Sequence, residues 1–224
     1  MKNFIFGMLL SISSILPVSY ADEAIVDTVK TDITGEFQQH GYFTVRPDLR
    51  KCVSPLCGGF FVKSVNKSLT RCADGSLQSE CYVATVNNPA QVDLGAAALL
   101  HGAIRPKSYG DFGNLGVFKL NTAFRAASAS TESGLFVGLE NNGIVCITTP
   151  CFSADQYLLN RSKIRAISGI DLEQVGASKA DLEQAWSIIG NSGVLLANGV
   201  NHQVEEMTGQ GITFVAKQFY LPIE

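Results

Sequence analysis

The chain has 224 residues, of which 17 are Lys or Arg and 20 are Asp or Glu, a formal net charge of −3. That balance gives no electrostatic reason to expect a nucleic-acid partner. About 200 residues beyond the amino-terminal leader suffice to bury a core, as one domain or as two small ones.

From the amino end, residues 1–21 read as a signal peptide. Lys2 is the basic start, Phe4 to Leu16 is an uncharged apolar run, and Ser19-Tyr20-Ala21 offers small residues where a signal peptidase cuts. The run is about 13 residues, short of the roughly 20 that a membrane-spanning helix needs. Cleavage after Ala21 and export to the periplasm or beyond are therefore expected. No Cys follows the run, so a lipid anchor is not indicated, and no later stretch is apolar for long enough to span a membrane. Residues 22–40 are an acidic segment, with five carboxylates against Lys30.

Residues 41–126 carry alternating or β-branched and aromatic segments that predict strands at 42–46, 59–65, 82–86, 99–105 and 117–124. Residues 127–133 have linker composition. Residues 134–224 predict strands at 135–139, 157–159, 164–171, 194–200 and 212–220, with Asn141-Asn142-Gly143 as a hairpin-turn signal. One helix is marked at 178–190. Ser178 is its N-cap, and Asp181 stands three residues on in capping-box position. Leu182, Ala185, Trp186 and Ile189 are expected to share one face, which makes Trp186, the only Trp, a core anchor.

The two long stretches read as copies of one unit. Each opens with Gly and an apolar segment, then Cys-x4-Cys, at Cys52–Cys57 and Cys146–Cys151. Nine residues later each has Asn-basic-Ser, at Asn66 and Asn160. Each then reaches a Leu-Leu pair, Leu99-Leu100 and Leu195-Leu196, and closes with a strand that carries Phe124 or Phe219. The Cys72–Cys81 loop belongs to the first copy alone. The expected fold is mainly β (β-rich α+β), with two tandem OB-like barrels and one helix in the second copy; a single sandwich built from both halves is also compatible.

All six cysteines, Cys52, Cys57, Cys72, Cys81, Cys146 and Cys151, follow the leader. In an exported chain they read as disulfides, and pairing between neighbours is the simplest of the 15 connectivities. No Cys-x2-Cys knuckle suggests a metal.

Catalytic patterns are missing: there is no Gly-x-Ser-x-Gly elbow, no phosphate-binding Gly-x4-Gly-Lys loop and no paired metal-binding His. Asp111-Phe112-Gly113 matches a kinase triplet by letters alone and reads as a turn. A single-metal site at His202 with Glu205 and Glu206 is a minor alternative. Asn66-Lys67-Ser68 and Asn160-Arg161-Ser162 fit the glycosylation sequon, but their matching places suit turn asparagines better. The expectation is a non-enzymatic protein without cofactor or metal.

Charge separates the copies. Residues 41–126 hold ten basic and five acidic residues, a net of +5, whereas residues 134–224 hold five and nine, a net of −4. One reading is that the oppositely charged parts dock on each other. The other is that Arg46, Arg50, Lys51, Lys63, Lys67 and Arg71, around the first Cys-x4-Cys, form an anion-binding face for an acidic protein or an envelope polyanion.

The runs Phe43–Cys52, Pro55–Asn66, Arg71–Gly75, Glu80–Ala84, Tyr109–Gly113, Gly143–Phe152 and Gln218–Leu221 together resemble an uncharacterised family of exported bacterial six-cysteine proteins, a domain of unknown function. The resemblance implies a bacterial source and a shared cysteine framework. It implies no activity and transfers no functional residue. The functional expectation is an exported binding module that uses the basic face of the first copy. The alternatives are a hydrolase inhibitor presenting loop 52–57 or 72–81, and a hydrolase of unrecognised type.

Overall fold

A computed structural model describes residues 40–130 and 134–223. The predicted signal peptide, the acidic segment up to residue 39 and positions 131–133 of the linker lie outside the described residues.

Alternating patterns become strands wherever one face can be buried. The first half contains β1 (Gly41–Pro47), β2 (Phe60–Ser64), the short pair β3 (Thr70–Arg71) and β4 (Leu77–Gln78), β5 (Cys81–Val83), β6 (Thr85–Asn87), β7 (Leu99–Arg105) and β8 (Val117–Ala126). The second half contains β9 (Leu135–Asn141), β10 (Ala154–Leu158), β11 (Ile164–Ile167), β12 (Gly169–Asp171), α1 (Lys179–Gly190), β13 (Leu195–Glu206) and β14 (Gly209–Pro222). Two strands predicted as continuous are broken. At Ala84 and at Ser168 the chain leaves an antiparallel neighbour and joins β8 or β14 in parallel, through Ala84 N–H to Gly116 O and Ser168 N–H to Ile212 O.

The mainly β class holds, but the tandem OB-like barrels are not found. A single sheet runs β11-β10-β9-β13-β14-β8-β7-β1-β2-β5, with β12 on β14 and β6 on β8, and no closed barrel occurs among the described residues. The halves join because β14 and β8 pair antiparallel through Tyr220–Ala126, Leu221–Arg125 and Pro222–Phe124. Alternation along a strand marks which face is buried; it does not reveal whether an edge closes on its own half or on the other.

The pairing scheme reads the same from either end of this sheet. β1 lies between β2 and β7 as β9 lies between β10 and β13, and the parallel additions β6 and β12 correspond. The ladders bulge at His101/Gly102 and at Asn198/Gly199. Both bulges require glycine: a Cβ on Gly102 would lie 2.2 Å from Lys119 O, and one on Gly199 would lie 2.2 Å from Val215 O. Counted from these bulges, Leu99 (opposite Phe124) corresponds to Leu196 (opposite Tyr220). Matching the Leu-Leu pairs directly is therefore one residue out of register.

Each half has its own core. Phe43, Val62, Val83, Leu100 and Phe118 fill the first, while Leu139, Ile167, Leu195, Phe214 and Phe219 fill the second beneath α1. A third cluster of Val65, Leu99, Leu159, Leu196 and Tyr220 lies where the halves meet and draws on both. Burying a side chain of this size stabilises by about 1.5–3 kcal/mol.

The helix starts as its cap predicts, with Ser178 Oγ accepting from Asp181 N–H at 3.1 Å. Its buried face is Leu182, Ala185 and Ile189, but Trp186 is 41 % exposed, which corrects its reading as a core anchor. One residue beyond Ala185 is about 100° around the helix, far enough to leave the buried stripe.

Candidate functional site

The cysteines pair as sequence neighbours: Cys52–Cys57, Cys72–Cys81 and Cys146–Cys151. The first and third close matching rings between β1 and β2 and between β9 and β10, each with a cis peptide before its proline, Pro55 or Pro150. Asn141 and Asn142 make turns into the second ring through Gly143 N–H and Ile144 N–H rather than a tight hairpin. Cys72–Cys81 staples the β3–β4 hairpin beside β5.

The six cations of the predicted anion-binding face divide into two groups. Arg50 is committed: its guanidinium and backbone N–H bond Asp48, whose carboxylate is buried, and the same guanidinium bonds Leu56 O at 3.1 Å. Those hydrogen bonds hold the Asp48 carboxyl below the usual carboxylate range. Arg46 pairs with Glu80 through Nε to Oε2 at 3.1 Å, and through its Nη2 to Oε1. Both guanidiniums also stack on aromatic rings, Arg46 at 4.1 Å from the Phe61 centroid, Arg50 at 5.1 Å from Phe61 and 5.3 Å from Tyr82. This ladder of Arg46, Phe61, Arg50 and Tyr82 braces the outer face of β1, β2 and β5. Tyr82 Oη extends it by donating to Pro55 O in the first ring at 2.7 Å.

Lys51, Lys63, Lys67 and Arg71 form no ion pair among the described residues. Lys51 stands next to the first ring and Arg71 on β3, both exposed. Lys63 and Lys67 come together at a cleft of about 420 Å³ where the halves meet. Thr44, Ser64 and Ser68 also line it from the first half, and Gly134 to Phe136 with Asn198 line it from the second. A neighbouring cleft of about 430 Å³ shares Thr44 and Lys63 and reaches Arg46 and Glu80. The linings of the two clefts mix the hydroxyls, amides and ammonium groups with apolar side chains, among them Phe61, Leu135 and Phe136. The sequence points to the two lysines. It does not point to Thr44, Asn198 or residues 134–136, because nothing local announces that a strand 70 or more residues away forms the opposite wall.

The two sequon asparagines hold this seam closed, each reaching across to the other half. Asn66 Nδ2 donates to Phe136 O (2.6 Å) and Leu159 O (2.9 Å), and Phe136 N–H donates to Asn66 Oδ1 (3.0 Å). Asn160 Nδ2 donates to Tyr42 O (2.7 Å) and Val65 O (3.1 Å), and Tyr42 N–H donates to Asn160 Oδ1 (2.8 Å). Both adopt positive φ, +56° and +59°, which Asn tolerates better than most residues. With the amides so engaged, the structural reading of these sequons stands and the glycosylation reading conflicts with the fold.

Other groups with chemical potential are spent locally. Tyr157 Oη donates to Glu140, a bond that pushes the phenol up to about 12. His101 stacks on Tyr42 at 4.7 Å, and burial followed by the neighbouring His40 lowers its basicity. Glu206 accepts from Ser168 Oγ at 3.0 Å, while His202 is exposed on β13. No group of three or more His, Cys, Asp or Glu able to hold a metal occurs among the described residues. Asp111-Phe112-Gly113 lies in and just after a single turn of 3₁₀ helix, Gly110–Phe112.

Residues 41–224 match the family described as Domain of unknown function (DUF6748). No curated protein and no solved structure matches this chain.

Proposed function

The chain belongs to the DUF6748 family, and we propose that it is an exported bacterial binding protein, without catalytic activity, that recognises an anionic partner along the cleft face of β1 and β2. The observation that carries this reading is the meeting of Lys63 and Lys67 at the seam cleft, with no carboxylate paired to either among the described residues. Arg46 and Arg50 are instead internally neutralised by Glu80 and Asp48 and stacked on Phe61. Lys51 and Arg71 supply longer-range attraction. Three disulfides and the apolar leader support an oxidising compartment outside the cytoplasm. An envelope polyanion or the acidic surface of another protein has the matching chemistry.

The test is binding to a polyanion probe, inorganic polyphosphate, by fluorescence anisotropy over a salt series. Binding should weaken linearly in log–log form as salt rises, because counterions are released by the contacts. Lys63→Glu with Lys67→Glu should weaken it at least about tenfold, whereas Lys217→Glu on the second half should leave it unchanged. Equal binding by all three proteins would overturn the assignment. A second reading, a hydrolase inhibitor that presents a pinned loop, is favoured by the exposure of Val53 in the first ring and of Leu77 on β4. Inhibition of a serine-protease panel that is lost on Val53→Asp or Leu77→Asp would support it, and a panel left untouched would remove it.

A further inference from the structure

The two Cys-x4-Cys rings sit at different outer ends of the sheet. β8 and β14 meet antiparallel through their last residues at the seam, so their first residues point away from each other. The first ring lies at the β8 start. Its closing segment passes so near Val83 and Ala84 that a Cβ on Gly59 would lie 2.2 Å from Val83 O, and Ala84 N–H bonds Gly116 O at the head of β8. The second ring lies at the β14 start. Thr208, in the two-residue turn between β13 and β14, donates its N–H to Thr149 O in the ring at 3.2 Å, and its hydroxyl bonds the same carbonyl.

Both ends expose large aliphatic side chains, and their charges are opposite. At the second end Val145, Ile147 and Met207 are 93 %, 103 % and 94 % exposed. The segments 140–155 and 204–212 that build this end contain Glu140, Asp155, Glu205 and Glu206 and no Lys or Arg. None of these four carboxylates is in an ion pair among the described residues. At the first end Leu49 and Val53 are exposed. In the segments 46–61 and 105–117 there, Arg46 and Arg50 are neutralised by Glu80 and Asp48, which leaves Lys51, Arg105 and Lys107 against Asp111. An apolar tip rimmed by carboxylates is complementary to an apolar tip rimmed by cations, and this molecule carries one of each.

We propose that the second-ring tip of one molecule docks on the first-ring end of another copy of this chain, so that the protein assembles head to tail. The contact joins two different patches, so it is heterologous. Unless the rotation closes into a ring, it extends into an open array. Desolvated Ile147 and Met207 supply the apolar contact, and Glu205 and Glu206 facing Lys51 and Lys107 set its polarity. The contact draws on Lys51 but not on Lys63 or Lys67, the residues that carry the anion reading, so either proposal can fail without the other.

Sedimentation velocity with two blocked variants tests this. Val145→Asp with Ile147→Asp disables the second end, and Leu49→Asp with Val53→Asp disables the first. Circular dichroism verifies that each is folded. The wild type should form species larger than a dimer as concentration rises, fewer of them at high salt. Each variant alone should be monomeric, and mixing the two should give a one-to-one heterodimer and nothing larger, because only one functional contact remains. A wild type that stays monomeric at roughly 0.5 mM, where even a millimolar contact shows, would overturn the proposal. So would a variant that dimerises alone, since that requires like ends to meet, or two variants that do not combine.

Discussion

At the scale of single residues, Asn66 and Asn160 do the most to hold the halves in register. Each side chain accepts from an N–H of the opposite half, Phe136 or Tyr42, and donates to the carbonyl of the same residue, which also accepts a backbone N–H from Leu159 or Val65; losing the asparagine therefore strips the N–H of this acceptor and the carbonyl of its second donor. Leaving such groups unsatisfied costs about 1–3 kcal/mol apiece, and Ala at positive φ adds strain. Asn66→Ala and Asn160→Ala should each lower the free energy of unfolding by about 2–4 kcal/mol, read from urea denaturation, with no change in disulfide content. A loss below about 0.5 kcal/mol would mean that the seam stands without them. The sequence shows these residues as a repeated Asn-basic-Ser but hides their reach, since their partners are 70 to 118 positions away.

The same scale governs the response to acid. Hydrogen bonding to Arg125 holds the Asp181 carboxyl below its usual range, and Arg50 does the same for Asp48. A carboxylate with a depressed folded-state pKa stabilises above its unfolded value, about 3.9, and loses that contribution as pH falls through the folded value. Stability should therefore begin to fall below about pH 6.5, where the unfolded chain protonates His101 more readily than the fold does, and decline further below about 5 as the carboxylates titrate. Asp181→Asn should lower the urea midpoint at pH 7, and the gap from wild type should narrow toward pH 3. A gap that stays constant with pH would show that the Asp181 charge is not what matters.

At the scale of elements, what is legible is what depends on neighbours in sequence. The strand β7 at 99–105, the α1 cap at Ser178 and the pairing of nearby cysteines all follow from local pattern and spacing. Trp186 shows the limit. Its place on the predicted apolar stripe is off by one position, and the smaller Ala185 takes the buried site because the helix lies close against β9, β13 and β14. The turn 207–208 is likewise not legible in the sequence, since the exposed polar residues of β13 obscure its continuation to Glu206. Ser178→Ala should cost about 1 kcal/mol, measured by thermal or urea unfolding. Replacing both Cys146 and Cys151 with Ser should cost only the lower end of about 2–4 kcal/mol, because the loop they close is short. That variant should keep the fold by circular dichroism while the second-ring tip loses its order. Global unfolding would instead make the ring part of the core framework.

At the scale of the whole molecule, the charge difference between the halves is visible in composition, but its use is not. Ten cations in residues 41–126 suggest one broad basic face. The fold neutralises Arg46 with Glu80, 34 residues away, and Arg50 with the buried Asp48, and stacks both half-exposed guanidiniums on Phe61. Of the cations that form no ion pair among the described residues, Lys63 and Lys67 stand where a wall from the other half completes a cleft, and these two carry the proposed recognition. Sequence arithmetic cannot separate spent charges from free ones, because pairing is set by strand register and not by proximity along the chain. The most direct measurement is a ¹⁵N–¹H NMR titration of the protein with polyphosphate at low salt. Recognition at the seam predicts shifts that concentrate on Thr44, Lys63 to Ser68 and Gly134 to Phe136, and that disappear in the Lys63→Glu, Lys67→Glu protein. Shifts centred elsewhere, or unchanged in that protein, would contradict it.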